Sequence, residues 1–127
     1  MKIAIATQDM TRINAHLGWA RHFMMFEVSE EGYAYLETVT FDEDSADGDS
    51  GKLAPRLAAL ERCSLVFVVD VGPEGERALA RARITPLRQF AGHPVVDALE
   101  ELHTGLRQRR PAWLRLCQQA YRRDPGL

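Results

Sequence analysis

Between residues 64 and 72 the chain reads SLVFVVDVG. A run this apolar and β-branched, with no polar alternation, suits a strand buried on both faces, as in a parallel sheet covered by helices. Its flanks agree. KLAPRLAALERC (52–63) places Leu53, Leu57 and Leu60 at helical spacing, and Pro55 fits only in a first turn. PEGERALARAR (73–83) reads as a short helix with Pro73 near its start, and ITPLRQF (84–90) as a strand whose Pro86 suits a sheet edge. HPVVDALEELHTGLRQR (93–109) is helical, with Val96, Leu99, Leu102 and Leu106 on one stripe. PAWLRLCQQAYRR (111–123) is a last helix with Trp113, Leu116, Cys117 and Ala120 on one face.

The first third has another rhythm. KIAIAT (2–7) is a short buried-type strand, and HFMMFEV (22–28) is a second apolar run. After the turn EEG, YAYLETVTF (33–41) alternates like a strand, with Tyr33, Tyr35, Glu37, Val39 and Phe41 on one face. These two strands form an expected antiparallel hairpin. The order β-β-β-α-β-α-β-α-α predicts an α/β domain with a mixed sheet of about five strands flanked by helices. We assign it to residues 1–110, followed by a basic C-terminal helix or tail at 111–127.

The 127 residues suit one such domain. Cys63 and Cys117 are too few for a disulfide framework, which fits a reducing cytoplasm. The apolar run at the N-terminus is far short of the ~20 residues a membrane span needs, so the expectation is a cytoplasmic protein without a membrane anchor. The net charge of −2 hides an asymmetry: residues 105–127 carry six arginines and one acid, Asp124, whereas the body is acidic. An acidic body argues against nucleic acid as a partner, and the basic tail is a candidate docking element.

The chemistry concentrates in INAHLGWARHFMMFEV (13–28). Ligands of open α/β sheets gather at the carboxyl ends of parallel strands. Three loops reach that end if the strands run parallel: the one after the first strand, with Asp9, Arg12, Asn14, His16, Gly18 and Arg21; the one with Asp70, Gly72, Glu74 and Gly75; and the one with Gly92 and His93. His16 and His93 are then expected to face one cleft. Plain roles compete with functional ones. His22 begins a strand and is suited to packing, His93 precedes a proline at a helix start, and His103 sits beside an apolar stripe. Met24 and Met25 point to opposite faces of a strand, so at least one packs in the core. Cys63 reads as a small buried hydrophobe.

Other motifs fail. Setting Gly48 at the glycine of an EF-hand puts Ala54 where the bidentate glutamate belongs. DVGPEG is not a dinucleotide fingerprint. Asp9 and Asp70 make a plausible pair for a two-metal nuclease, but further acids have no place beside them. Trp113 and its neighbouring arginines would serve a protein-interaction module acting through the tail.

NAHLGWARHFMMFEV resembles the N-x-H-[FL]-G-x-[AC]-x-x-F segment of the dinitrogenase iron–molybdenum cofactor biosynthesis family, of the NifX and NafY type. MKIAIATQD is similar to that family's first strand, and GKLAPRLAALERCSLVFVVDVG to its central helix and strand. GHPVVDALEEL and RRPAWLRL resemble the NifX branch. The resemblance implies a ribonuclease H-like fold and a non-catalytic carrier of an iron–sulfur precursor of the nitrogenase cofactor, working between a cluster donor and an acceptor scaffold. Two cysteines cannot supply the four thiolates that usually hold such a cluster. A histidine on one iron, with cations nearby, is a releasable grip. By resemblance His16 is the cluster ligand, with Asn14, Arg12, Arg21 and Gly18 shaping the site and His22, His93 and Met24 in second rank. Leu17 stands where phenylalanine is more usual in the family.

Overall fold

The computed structural model describes residues 1–41 and 49–108, and for 49–52 the backbone alone. Strands β1 (Lys2–Thr7), β2 (His22–Ser29), β3 (Gly32–Thr40), β4 (Leu65–Phe67) and β5 (Thr85–Leu87) form one sheet in the order β3-β2-β1-β4-β5. β1, β2 and β3 are antiparallel neighbours, and β1, β4 and β5 are parallel. Helices α1 (Asp49–Ala59) and α2 (Pro73–Ala82) cover one face, and α3 (Val95–Arg107) covers the other. The expected α/β architecture with a mixed five-stranded sheet is therefore present. The last expected helix, 111–123, and most of the acidic run 42–51 lie outside the described residues.

Alternation along each strand divides the core. Ala4 and Ala6 of β1, Phe23 and Met25 of β2 and Val66 of β4 face Leu53 of α1, Leu60 in the turn after it and Leu79 of α2. Ile3, Ile5, Phe26, Leu65 and Phe67 face Leu99, Leu102 and Leu106 of α3. The two small alanines in the middle strand let the paired helices sit close. Both crossover helices join strands that step the same way across the sheet, so same-handed crossovers put them on one face.

Four details depart from the sequence reading. The alternation of β3 is not continuous. Met25 pairs with Glu37 and Phe26 with Tyr35, so Leu36 is the extra residue of a bulge. Tyr33 consequently packs on the α3 side, and Val39 and Phe41 on the other. α1 begins at Asp49, which puts Pro55 inside the helix rather than in its first turn. The helix also stops early, because Arg62 adopts φ +72° and Leu60 and Glu61 close shorter turns to Leu57 and Ala58. In α3 the buried residue is Val95, while Val96 is half exposed. β4 pairs over only three residues, because Val69 leaves the sheet to bond Ala15 of the loop after β1.

The α3 correction is directly testable. Leu102→Ala should cost about 2–5 kcal/mol in urea unfolding, whereas Val96→Ala should stay within about 0.5 kcal/mol.

Candidate functional site

The site is built on the loop after β1, and a buried threonine starts it. The Thr7 hydroxyl donates to the Arg12 carbonyl at 2.6 Å and accepts the Met10 amide at 3.0 Å. Met10 takes φ +62°, which turns the chain tightly. The Asp9 carboxylate accepts the amides of Thr11 (2.9 Å) and Arg12 (3.1 Å), and Asn14 bridges Asp9 to the Gln8 amide. Those amide bonds hold the exposed Asp9 carboxyl below its ordinary value.

From Thr11 to Leu17 the chain is extended and laid across the carboxyl ends of the parallel strands. Ile13 N–H donates to the His93 carbonyl at 2.9 Å, and Gly92 N–H to that of Ile13 at 2.7 Å. Val69 N–H donates to Ala15 at 2.9 Å, and Leu17 N–H to Asp70 at 3.1 Å. Ile13, Ala15 and Leu17 are buried, so Arg12, Asn14 and His16 form an exposed outward row. A short 3-10 turn, Leu17–Trp19, ends the segment. Beyond it, Gln8 bonds the Trp19 carbonyl and the Arg21 amide, each at 2.9 Å. Buried Arg56 of α1 donates from Nε and Nη2 to the Ala20 carbonyl at 3.0 and 2.6 Å, with its guanidinium 4.5 Å from the Phe41 ring centre.

Beside His16 opens a cleft of about 310 Å³. Its walls are His16, Gly18 and Trp19 on one side and Val71 to Gly75, the start of α2, on the other. Gly72 precedes α2 without a side-chain cap, and Pro73 occupies its first turn. The positive end of the helix dipole therefore lies in the wall. Added Cβ atoms at Gly18 and Gly72 would meet nothing within 4 Å, whereas one at Gly75 would stand 2.8 Å from Val71 and 3.2 Å from Leu17. Gly75 is thus what lets α2 close against the loop. Arg88, from the loop after β5, bonds Asp70 at 2.9 Å and also pairs with Glu76 of α2, neutralising two acids near the rim. This pairing holds the Asp70 carboxyl below its ordinary value.

Of the residues singled out in the sequence, His16 and Gly18 line the cleft. Asn14 is used inside the turn, Arg12 donates to the Gly92 carbonyl at 2.9 Å, and Arg21 immediately precedes β2, outside the lining. His22 Nδ1 bonds the Thr40 hydroxyl at 2.8 Å, and Met24 packs on the α3 face, away from the cleft. The three loops do meet at one end of the sheet, as parallel strands require, but His16 and His93 do not share a cleft. The extended segment separates them: the His93 ring packs edge-on to Phe90 beside α3. His103 bonds the Glu30 carbonyl at 3.1 Å, a structural link. Cys63 is buried, which pushes its thiol up to about 11. Asp9 and Asp70 are committed to the bonds above, and no group of three or more metal-ligating side chains occurs among the described residues. Arg56 and Arg88 were not selected from the sequence, and the start of α2 was placed at this end of the sheet, through Gly72, Glu74 and Gly75, without a part in the site. The Gly-Pro pair in DVGPEG, at a strand-to-helix turn, was the available signal for the last.

The five-stranded mixed sheet with helices on both faces defines the chain as an α/β protein. The chain belongs to the dinitrogenase iron–molybdenum cofactor family, whose sequence model matches residues 1–105. Among particular relatives, it is 37% identical over 120 residues to Protein NifX of Herbaspirillum seropedicae, covering 94% of this chain and 82% of that one. It is 36% identical over 123 residues to Protein NifX of Sinorhizobium fredii, covering 91% and 76%. The crystal structure of PH0822 shares the fold, with a TM-score of 0.61 at 17% identity over 83% of this chain and 92% of that one.

Two outcomes follow. Gly75→Ala should destabilise by about 1–3 kcal/mol in urea unfolding, since the new methyl must push Val71 or Leu17 aside. Because the Asp9 carboxyl is depressed, its contribution to the turn is complete at neutral pH and is lost as pH falls through its lowered value, below 3.8. Protection of the amides of residues 8–12, taken relative to their intrinsic exchange rate at each pH, should fall in that acid range in the native protein, and Asp9→Asn should abolish much of the dependence.

Proposed function

We propose that this chain binds an iron–sulfur precursor of the nitrogenase iron–molybdenum cofactor in the cleft beside His16, carries it and passes it on without turnover of its own. The observation that carries the reading is the juxtaposition of an exposed imidazole with the uncapped start of α2 across one cleft. Among the described residues no hydrogen bond engages the His16 ring, which leaves its nitrogen for an iron. The helix start favours an anion, as a cluster with sulfides is. The open space over Gly18 and Gly72 admits a bulky cargo, and the exposed Trp19 ring offers it an apolar flank.

A single imidazole and partial charges make a grip that a richer ligand set can displace. That suits transfer from a cluster donor to an acceptor scaffold among the cofactor assembly proteins. Arg12, Asn14 and Arg21 then act by holding the loop and setting its charge rather than by touching iron. The buried state of Cys63 supports a grip that does not use its thiolate. The strand order, with β2 antiparallel beside β1, is in keeping with the ribonuclease H-like class. A cytoplasmic setting fits this chemistry, and no helix among the described residues is long and apolar enough to cross a membrane.

Anaerobic titration with an isolated iron–sulfur precursor, followed by gel filtration and iron analysis, tests the reading. Wild-type protein should co-elute with iron, and His16→Ala should bind at least about 10–100-fold more weakly with unchanged unfolding. Gly18→Val should also weaken binding while leaving the fold intact, because the added atoms point into the space assigned to cargo. Equal binding by wild type and His16→Ala would remove His16 from the mechanism, and no binding by either would remove the carrier role.

A further inference from the structure

We propose that the acidic outer face of α3 is the docking surface for this chain's own basic segment, residues 109–127. This is a contact separate from the cargo cleft. α3 buries Val95, Leu99, Leu102 and Leu106 and turns Asp97, Glu100 and Glu101 outward. Two adjoining hollows, of about 340 and 310 Å³, share Glu100 and run along that face from His93 to Gln108. Phe90 supplies an apolar wall at the far end. Among the described residues, Asp97 and Glu101 enter no ion pair, and Glu100 accepts a bond from the Tyr33 hydroxyl at 2.7 Å. Among the described residues, three carboxylates therefore stand along one groove whose lining includes a single guanidinium, that of Arg107 at the near end.

The occupant is set by where the chain goes. Residues 109–127 begin directly after Gln108, which lines the near end of the groove. They carry five arginines against one acid, together with Trp113. Glu101 lies only about 10 Å back along the helix from that point at 1.5 Å per residue, a span that four or five extended residues cover. Guanidinium groups match carboxylates in geometry as well as sign, and Trp113 has the apolar bulk for a hollow walled by Phe90. Tethering makes the encounter intramolecular, so weak individual pairs are sufficient to hold it. Docked there, the segment shields the acidic face from other basic surfaces.

The test is hydrogen exchange by mass spectrometry on the full chain. Amides within 109–127 should be protected at low salt and should exchange about tenfold faster near 1 M salt, as expected for the loss of two or three exposed ion pairs. Asp97→Lys with Glu101→Lys should give the same acceleration without added salt. Adding Arg115→Glu and Arg122→Glu to that variant should restore protection, a rescue that mere damage to α3 would not allow. Exchange in β1 and β4 reports whether the variant is folded; if it is not, the salt titration of the unaltered chain decides. Tail exchange indifferent to salt and to charge reversal would overturn the proposal. Protection that rises with protein concentration would also overturn it, since the groove would then hold the segment of a second copy.

Discussion

The row of backbone bonds between Thr11–Leu17 and the loops after β4 and β5 is the contact on which the rest of the site depends. It satisfies amides and carbonyls that would otherwise be stranded at the end of a buried sheet. It also fixes which side chains point out. Burying Ile13, Ala15 and Leu17 leaves Arg12, Asn14 and His16 no direction but outward. The position of His16 is thus a consequence of backbone pairing and core packing, and needs no polar contact to its own ring.

The polar groups around this row differ in weight. Arg56 is buried and gives two bonds to one carbonyl, and hydrogen bonds to charged groups are worth about 1.5–3 kcal/mol. Thr7 is also fully buried. By contrast, Asp9 is exposed, and the Arg88 pairs with Asp70 and Glu76 are substantially so, where an ion pair contributes at most about 1 kcal/mol. The loop is therefore held from below, by Thr7 and Arg56, and the surface charges trim its electrostatics. Arg88 fits that second role: it removes the effect of two carboxylates near a cleft that would otherwise repel an anion.

The architecture was legible because the strands of the second half are unambiguous. SLVFVVDVG has no alternation to mislead, and Pro86 marked the edge that β5 occupies. The bulge at Leu36 was not legible, because one inserted residue leaves the local pattern of β3 looking like unbroken alternation. The sequence does not separate Val95 from Val96, because the stripe drifts by a fraction of a turn and either valine continues it. The loop held a readable signal of its own. Arg12 to Leu17 alternates polar and apolar at every step, the mark of an extended segment with one buried face, although its glycine and polar content read as irregular connection. The contribution of α2 to the cleft was hidden for a different reason: proximity between Gly18 and Gly72 is tertiary, and no spacing along the chain encodes it.

The same row of bonds constrains how the protein comes into being. Arg12 reaches Gly92 across 80 positions, and the partners of Ala15 and Leu17 follow the fourth strand. The antiparallel hairpin of β2 and β3 closes locally, but the loop has nothing to bond until β4, β5 and the start of α3 exist. Contacts of such long sequence separation carry a large closure entropy and form slowly. On a ribosome the histidine-bearing segment therefore emerges early and is organised late, after most of the chain has left the exit tunnel. The cleft beside His16 is thus among the last features the nascent chain acquires, and it arrives only with a fold that is already complete.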